Sequence, residues 1–150
     1  MTLEAILAYL HLLAILTMVV FVASEAALCR VQWLNAAVVE RLARVDRIYG
    51  FAALAVLATG LARTLLGVKG TAWYWSNPLL HMKLTLFVVV GLISIFPTLA
   101  FLRWRKALRA DGSLPDEAQI AKTRRLLMVQ AHILAVIPLL AVFLARGYGK

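Results

Sequence analysis

Side chains that can bind a metal or carry a proton recur every seven residues in the first apolar segment, as Glu4, His11, Met18 and Glu25. In an α-helix this spacing places all four near one face. Because hydrocarbon disfavours ionisable groups, we expect that face to contact other helices. An imidazole in such a position can ligate a haem iron or another metal ion.

Further histidines and basic residues occur in the later apolar segments. His81 and Lys83 stand near the start of the third segment, and Arg125, His132 and Arg146 are spaced by multiples of seven in the fourth. The fourth-segment residues share a face, which we expect to point inward for the same reason. His81 and Lys83 are about 200° apart around a helix, so at most one of them reaches a shared site directly.

Four long apolar segments set the architecture. Hydrophobic residues make up 63% of the 150 residues, and the mean hydropathy is +0.88, whereas soluble domains are about 45–50% apolar. Each segment is near the ~20 residues that a spanning helix needs, and lipid requires spanning backbone to be helical. Residues 1–150 are therefore expected to form one all-α integral membrane four-helix bundle. The predicted spans are Leu3–Leu28, Ile48–Leu66, Leu79–Leu102 and Leu126–Ala145.

The positive charge is concentrated in two connections between spans. The chain carries a formal charge of +9, and its basic residues cluster in residues 29–47 and 103–125. This asymmetry is typical of loops on the cytoplasmic side, so it predicts that both termini lie outside. It accounts for the charge without nucleic acid as a partner. We expect a multi-pass protein of the bacterial inner membrane that contacts the lipid bilayer.

An amphipathic stretch precedes the second span. Residues 31–45 are expected to form an interfacial helix that leads into that span. Its apolar side chains fall at helical spacing: Val31, Leu34, Val38, Leu42 and Val45.

Depth along the helices brings several candidates to the outer half of the membrane. At ~1.5 Å per residue, His11 lies about 10 Å below Glu4, and His81 lies about 5 Å below Pro78. His132 lies deeper, nearer the cytoplasmic half. The residues expected to converge in the outer half are His11, His81, Lys83, Arg63 and Arg146. Imidazoles surrounded by cations suit an anionic, metal-bearing ligand such as haem, whose propionates favour arginine and lysine.

Two stretches resemble a known family of haem proteins. "AYLHLLAIL" and "LLHMKLTLFVVV" resemble the first and third spans of the HemJ-type protoporphyrinogen oxidases, and the former also resembles the CopD-like copper-resistance domain. The HemJ-type resemblance implies a four-helix membrane protein that binds haem b, with His11 as the ligand and Lys83 as a contact to a porphyrin carboxylate. The last span lacks that family's Arg, Asn-Glu and Pro pattern, so porphyrin binding is implied more strongly than the specific oxidation.

A second resemblance covers nearly the whole chain. The segments "DRIYGFAAL", "TGLAR", "KLTLFVVVGLISIFPT", "FLRWR" and "ARGYG" resemble those of a family of small bacterial inner-membrane proteins of about this length. That resemblance implies the four-span architecture and no particular activity.

The leading hypothesis is a haem b protein for electron transfer or for porphyrin redox chemistry, and in the second case it would be a haem-dependent oxidoreductase. Its iron ligands would come from His11 first, His81 second and His132 third, and its propionates would contact Lys83, Arg63 and Arg146. One alternative is a copper-handling protein that uses His11, Met18, His81 and Met82, because imidazole and thioether suit copper. Another is a non-catalytic subunit that assembles as a homo-oligomer or with a membrane partner such as a redox protein.

Overall fold

The computed structural model describes residues 2–149 and consists of five α-helices. Four of them, α1, α2, α4 and α5, are long and apolar enough to cross a membrane, which confirms the predicted all-α four-span architecture. The helices are α1 (Thr2–Leu28), α2 (Ala36–Leu66), α3 (Thr71–Trp75), α4 (Pro78–Asp111) and α5 (Glu117–Ala145).

Short polar side chains start three of the helices. Asn35, Asn77 and Asp116 each accept a hydrogen bond from a backbone N–H in the first turn of the following helix, at 2.8–2.9 Å. Such caps satisfy donors that have no partner within the helix. At the other end of α4, Gly112 adopts a φ of 76° and its N–H bonds to the carbonyl of Leu108, because this left-handed conformation favours glycine.

The amphipathic stretch before the second span is part of the spanning helix. Residues 31–35 form the turn and cap, and from Ala36 onward the chain is continuous α2. Val39 and Leu42 are fully buried and pack against Phe101. Of the predicted stripe, Leu34 and Val38 pack against the same cluster and Val31 is exposed. The expected interfacial helix is therefore a turn followed by the first turns of α2.

The two ends of the bundle are held by different contacts. At the end that carries the basic connections, called here the basic end, the Arg109 guanidinium donates to both carboxylate oxygens of Glu40, at 2.7 and 2.9 Å. At the end that carries both termini, the terminal end, Asn77 Nδ2 donates to the carbonyl of Tyr148 at 3.0 Å. The four spanning helices alternate in direction between the two apolar clusters, so Thr2 and Gly149, the first and last described residues, lie at the same end.

Two apolar clusters fill the interior. The cluster nearer the basic end comprises Ala26, Cys29, Val39, Leu42, Ala43, Ala100, Phe101, Trp104, Ile120 and Leu127. The cluster nearer the terminal end comprises Ala14, Met18, Val22, Tyr49, Ala52, Val56, Val90 and Leu134.

The orientation in the membrane is testable with single cysteines in a Cys29→Ser background. A membrane-impermeant maleimide applied to intact spheroplasts should label Val68→Cys, which lies between α2 and α3, and should label Ser113→Cys, between α4 and α5, only after permeabilisation. The physical reason is the concentration of basic side chains at the Ser113 end. Native protein is the control, because Cys29 is fully buried and burial raises the pKa of its thiol to about 12, which keeps it unreactive. Labelling of Ser113→Cys in intact spheroplasts would reverse the orientation.

Candidate functional site

His11 is held in one orientation by α2. Its ring is buried, and Nδ1 lies 2.8 Å from Thr59 Oγ1. Thr59 donates its own hydroxyl proton to the carbonyl of Ala55 at 2.6 Å, so its oxygen accepts the Nδ1 proton. The carbonyl of Val56 is a further acceptor beside the ring. In a neutral imidazole this arrangement leaves Nε2 with the free lone pair.

Gly60 makes room for the histidine ring. A Cβ at this position would lie 3.1 Å from His11 Cε1, so any side chain here would press on the imidazole. The residues that position His11 were not singled out from the sequence, although Thr59 and Gly60 precede Arg63 within one turn of helix. The signal in the sequence that could have identified Thr59 and Gly60 is a short polar residue next to a glycine, on the same face of the second span as Arg63.

The His11 ring borders a partly open cavity of about 380 Å³ in the terminal half of the bundle. All four spanning helices contribute to its mainly apolar lining, which includes Leu84, Phe87 and Ile137. The side chains that carry polar groups in the lining are His11, Arg63, Thr64, Tyr74 and Lys83. The volume falls within the range of about 300–1,000 Å³ that is typical of small-molecule sites.

Three of the six residues predicted for a cofactor site line this cavity: His11, Arg63 and Lys83. They come from α1, α2 and α4, so the expected convergence in one half of the bundle holds for them. Lys83 takes the inward position of the third-span pair, whereas His81 is exposed. The remaining lining contains no second histidine.

The other three residues lie outside the cavity. His81 is exposed and its Nε2 lies 2.8 Å from the carbonyl of Trp75, next to the Trp75 ring. His132 is exposed and its Nδ1 lies 2.6 Å from the carbonyl of Met128. Arg146 is exposed and caps the end of α5.

The prediction that the Arg125, His132 and Arg146 face of α5 points inward was wrong. All three side chains are exposed, and the buried face of α5 carries Leu127 and Leu134 instead. Spacing by seven shows that residues share a face, and it does not show which way the face points. Each histidine on an exposed face satisfies one ring nitrogen with a nearby backbone carbonyl.

The residues proposed for copper are also separated. Met18 is buried beside the cavity, but Met82 is 51% exposed on α4. Within residues 2–149 no group of three or more histidine, cysteine, aspartate or glutamate side chains gathers in a metal-binding arrangement.

A layer of polar side chains separates the two apolar clusters, with one residue from each spanning helix. Glu25, Asp46 and Gln130 are buried, and Thr98 is partly buried. Each lies between a residue of one cluster and a residue of the other along its own helix. The inward position of Glu25 was expected from the sequence, and the partner residues on the other helices were not.

The polar layer is only partly paired. Thr98 donates to Asp46 at 2.9 Å, and Asp46 lies close enough to Glu25 for the two carboxyl groups to interact electrostatically. Glu25 Oε1 and both polar atoms of the Gln130 amide are buried without a hydrogen-bond partner among residues 2–149. Each unpartnered group costs about 1–3 kcal/mol of folding free energy.

Comparison with protein families identifies the family to which the chain belongs. The model described as "Predicted membrane protein (DUF2214)" matches residues 3–149, and the chain belongs to that family. No curated protein and no solved structure matches it. The resemblance to HemJ-type and CopD-like proteins therefore remains an expectation from the sequence.

The unpartnered amide of Gln130 is expected to lower the stability of the bundle. Gln130→Leu should leave the free energy of unfolding unchanged or raise it by up to about 2 kcal/mol, because it removes a buried group without a partner. Leu134 lies one turn further along the same buried face. Leu134→Gln is the matched control, because it adds a buried amide instead of removing one, and it should lower the free energy of unfolding. Thermal unfolding in detergent measures both. A loss of more than about 1 kcal/mol in Gln130→Leu would show that the amide has a bound partner.

Proposed function

We propose that this member of the DUF2214 family binds an amphiphilic, anionic ligand in the terminal-half cavity, and that b-type haem is the ligand. The single observation that carries the proposal is the position of His11 at the cavity wall, with Nδ1 held by Thr59. Histidines that ligate metals commonly donate their other ring N–H to a neighbouring oxygen, which orients the ring and raises its basicity. The Thr59 contact supplies this second interaction.

The charged residues of the cavity support an acidic ligand. Arg63 and Lys83 lie on different helices and both line the space beside His11. Among residues 2–149 neither forms a salt bridge with a carboxylate. Two unpaired cations in a mainly apolar cavity favour a ligand with carboxylate groups at one edge and a hydrophobic body, as a porphyrin has.

The cavity offers one protein ligand to an iron. His11 is the histidine of the lining, and Met18 lies about 10 Å further along the same helix, too far along that face to approach the same metal from the opposite side. His81 and His132 are on exposed faces. The proposed site is therefore a single-histidine site, and its lining on α4 includes the apolar side chains of Leu84 and Phe87. Bound haem would supply one-electron chemistry, which suits electron transfer or porphyrin redox reactions.

Histidine substitutions test the iron ligand. The protein, purified in detergent and titrated with haemin, should give a Soret band and, on reduction with dithionite, the single broad visible band of a haem with one histidine ligand. His11→Gln should lower the affinity about 100-fold, and Thr59→Val should lower it about 10-fold because the ring loses its orienting partner. His132→Gln is the matched control and should leave the spectrum unchanged. A wild-type protein that stays colourless with excess haemin, or a His132→Gln variant that fails as His11→Gln does, would refute the assignment.

Carboxylate binding is tested separately with metal-free protoporphyrin, whose fluorescence reports binding. Lys83→Gln and Arg63→Gln should each weaken the binding of haem and of protoporphyrin by about 10-fold, since each removes a charge-assisted hydrogen bond. His11→Gln should weaken only haem. Arg146→Gln removes the same charge outside the cavity and should change neither. Equal effects of Arg146→Gln and Lys83→Gln would indicate a general surface attraction instead of a site.

A further inference from the structure

A second cavity lies at the basic end, far from the His11 cavity. It has a volume of about 270 Å³ and sits between the turn that follows α1 and the first turns of α5. Its lining consists of Arg30, Val31, Gln32, Ile120, Ala121 and Arg124. Two guanidinium groups thus meet in one cavity whose lining contains no carboxylate.

Arg30 has donors that the protein does not use. Its Nε is buried and has no hydrogen-bond partner among residues 2–149. The guanidinium carbon lies 4.9 Å from the centre of the Trp33 ring, so the group is held in place by stacking, which leaves its N–H donors available. A buried guanidinium nitrogen without an acceptor is costly, and an anion in the cavity would supply that acceptor.

Arg124 is oriented by the neighbouring helix. It donates through Nη1 to the carbonyl of Ala26, which leaves other N–H groups of its guanidinium for a ligand, because arginine carries five donors. Ala26 lies near the end of α1, so this contact ties α5 to the segment that carries Arg30. The two arginines together match the planar, bidentate recognition of a phosphate group.

The surroundings of the cavity point to lipid. Trp33, next to Arg30, is 54% exposed, and tryptophan is enriched at the boundary between headgroups and hydrocarbon. Met128, one turn from Arg124 on α5, is also exposed and extends the apolar surface toward the bilayer centre. A ligand with a phosphate in the cavity can therefore lay an acyl chain along α5.

We propose that the Arg30–Arg124 cavity binds the phosphate group of an anionic phospholipid from the leaflet at the basic end. Basic pockets between membrane helices hold lipid headgroups by this combination of charge and interfacial position. Free inorganic phosphate shares the chemistry but would make no use of Trp33 or of the exposed surface of α5. The inference is independent of the His11 cavity and of its ligand.

Lipid binding is measured on delipidated protein in detergent by native mass spectrometry and by thermal unfolding. Phosphatidylglycerol should be retained and should raise the melting temperature, and phosphatidylcholine at equal concentration should do so much less. Arg30→Gln should weaken phosphatidylglycerol binding about 10-fold, since it removes a charge-assisted contact. Arg30→Lys keeps the charge without the planar fork and should also weaken it. Inorganic phosphate should reproduce little of the stabilisation.

Arg41→Gln is the matched control, because Arg41 is exposed at the same end and does not line the cavity. It should leave phosphatidylglycerol binding within about 2-fold of wild type, the effect of a rim charge. Equal losses in Arg41→Gln and Arg30→Gln would replace the site with a general attraction to the basic surface. Equal binding of the two lipids would refute the proposal, and full stabilisation by inorganic phosphate would overturn the lipid as the source of the group.

Discussion

Hydrocarbon supplies no hydrogen-bond partners, and this constraint accounts for the positions of most polar side chains in the spanning helices, with Glu25 and Gln130 as exceptions. Backbone groups meet it by forming four long helices. Side chains meet it in two ways, by bonding to a carbonyl of the same helix or by pairing with a neighbouring helix. Thr17 and Ser24 use the first way, each donating to the carbonyl four residues earlier. His11 and Asp46 use the second, through Thr59 and Thr98.

The same constraint explains how far the sequence predicts the fold. Span number, helical class and the inward stripe of α1 follow from hydrophobic length and from the cost of ionisable groups in lipid. The inward face of α5 could not be predicted in this way. His132 forms a hydrogen bond with the Met128 carbonyl of its own helix, so it does not need a partner on another helix and can lie on an exposed face. Gln130 is fully buried, but it is uncharged, so the cost of ionisable groups in lipid does not identify it as an inward-facing residue.

The candidate site was predictable in part for a related reason. His11, Lys83 and Arg63 are ionisable, and their depths could be counted from the helix ends. Thr59 and Gly60 act through contact, one as a hydrogen-bond acceptor and the other through the absence of a side chain. Such contacts depend on how α1 and α2 are rotated against each other. The polar stripe of α1 indicates which face of that helix points inward, but only the packed helices show which residues of α2 meet it.

The apolar cluster nearer the terminal end also separates the cavity from the polar layer. Met18, Val22 and Val56 pack together between His11 and the polar layer, so apolar side chains separate the imidazole from Glu25 and Asp46. A continuous chain of polar groups from one end of the bundle to the other is interrupted there. The ligand proposed above would therefore have to enter through the open side of the cavity. An amphiphilic ligand would suit such entry, because apolar lining residues such as Phe87 can contact its body while Arg63 contacts its charged edge.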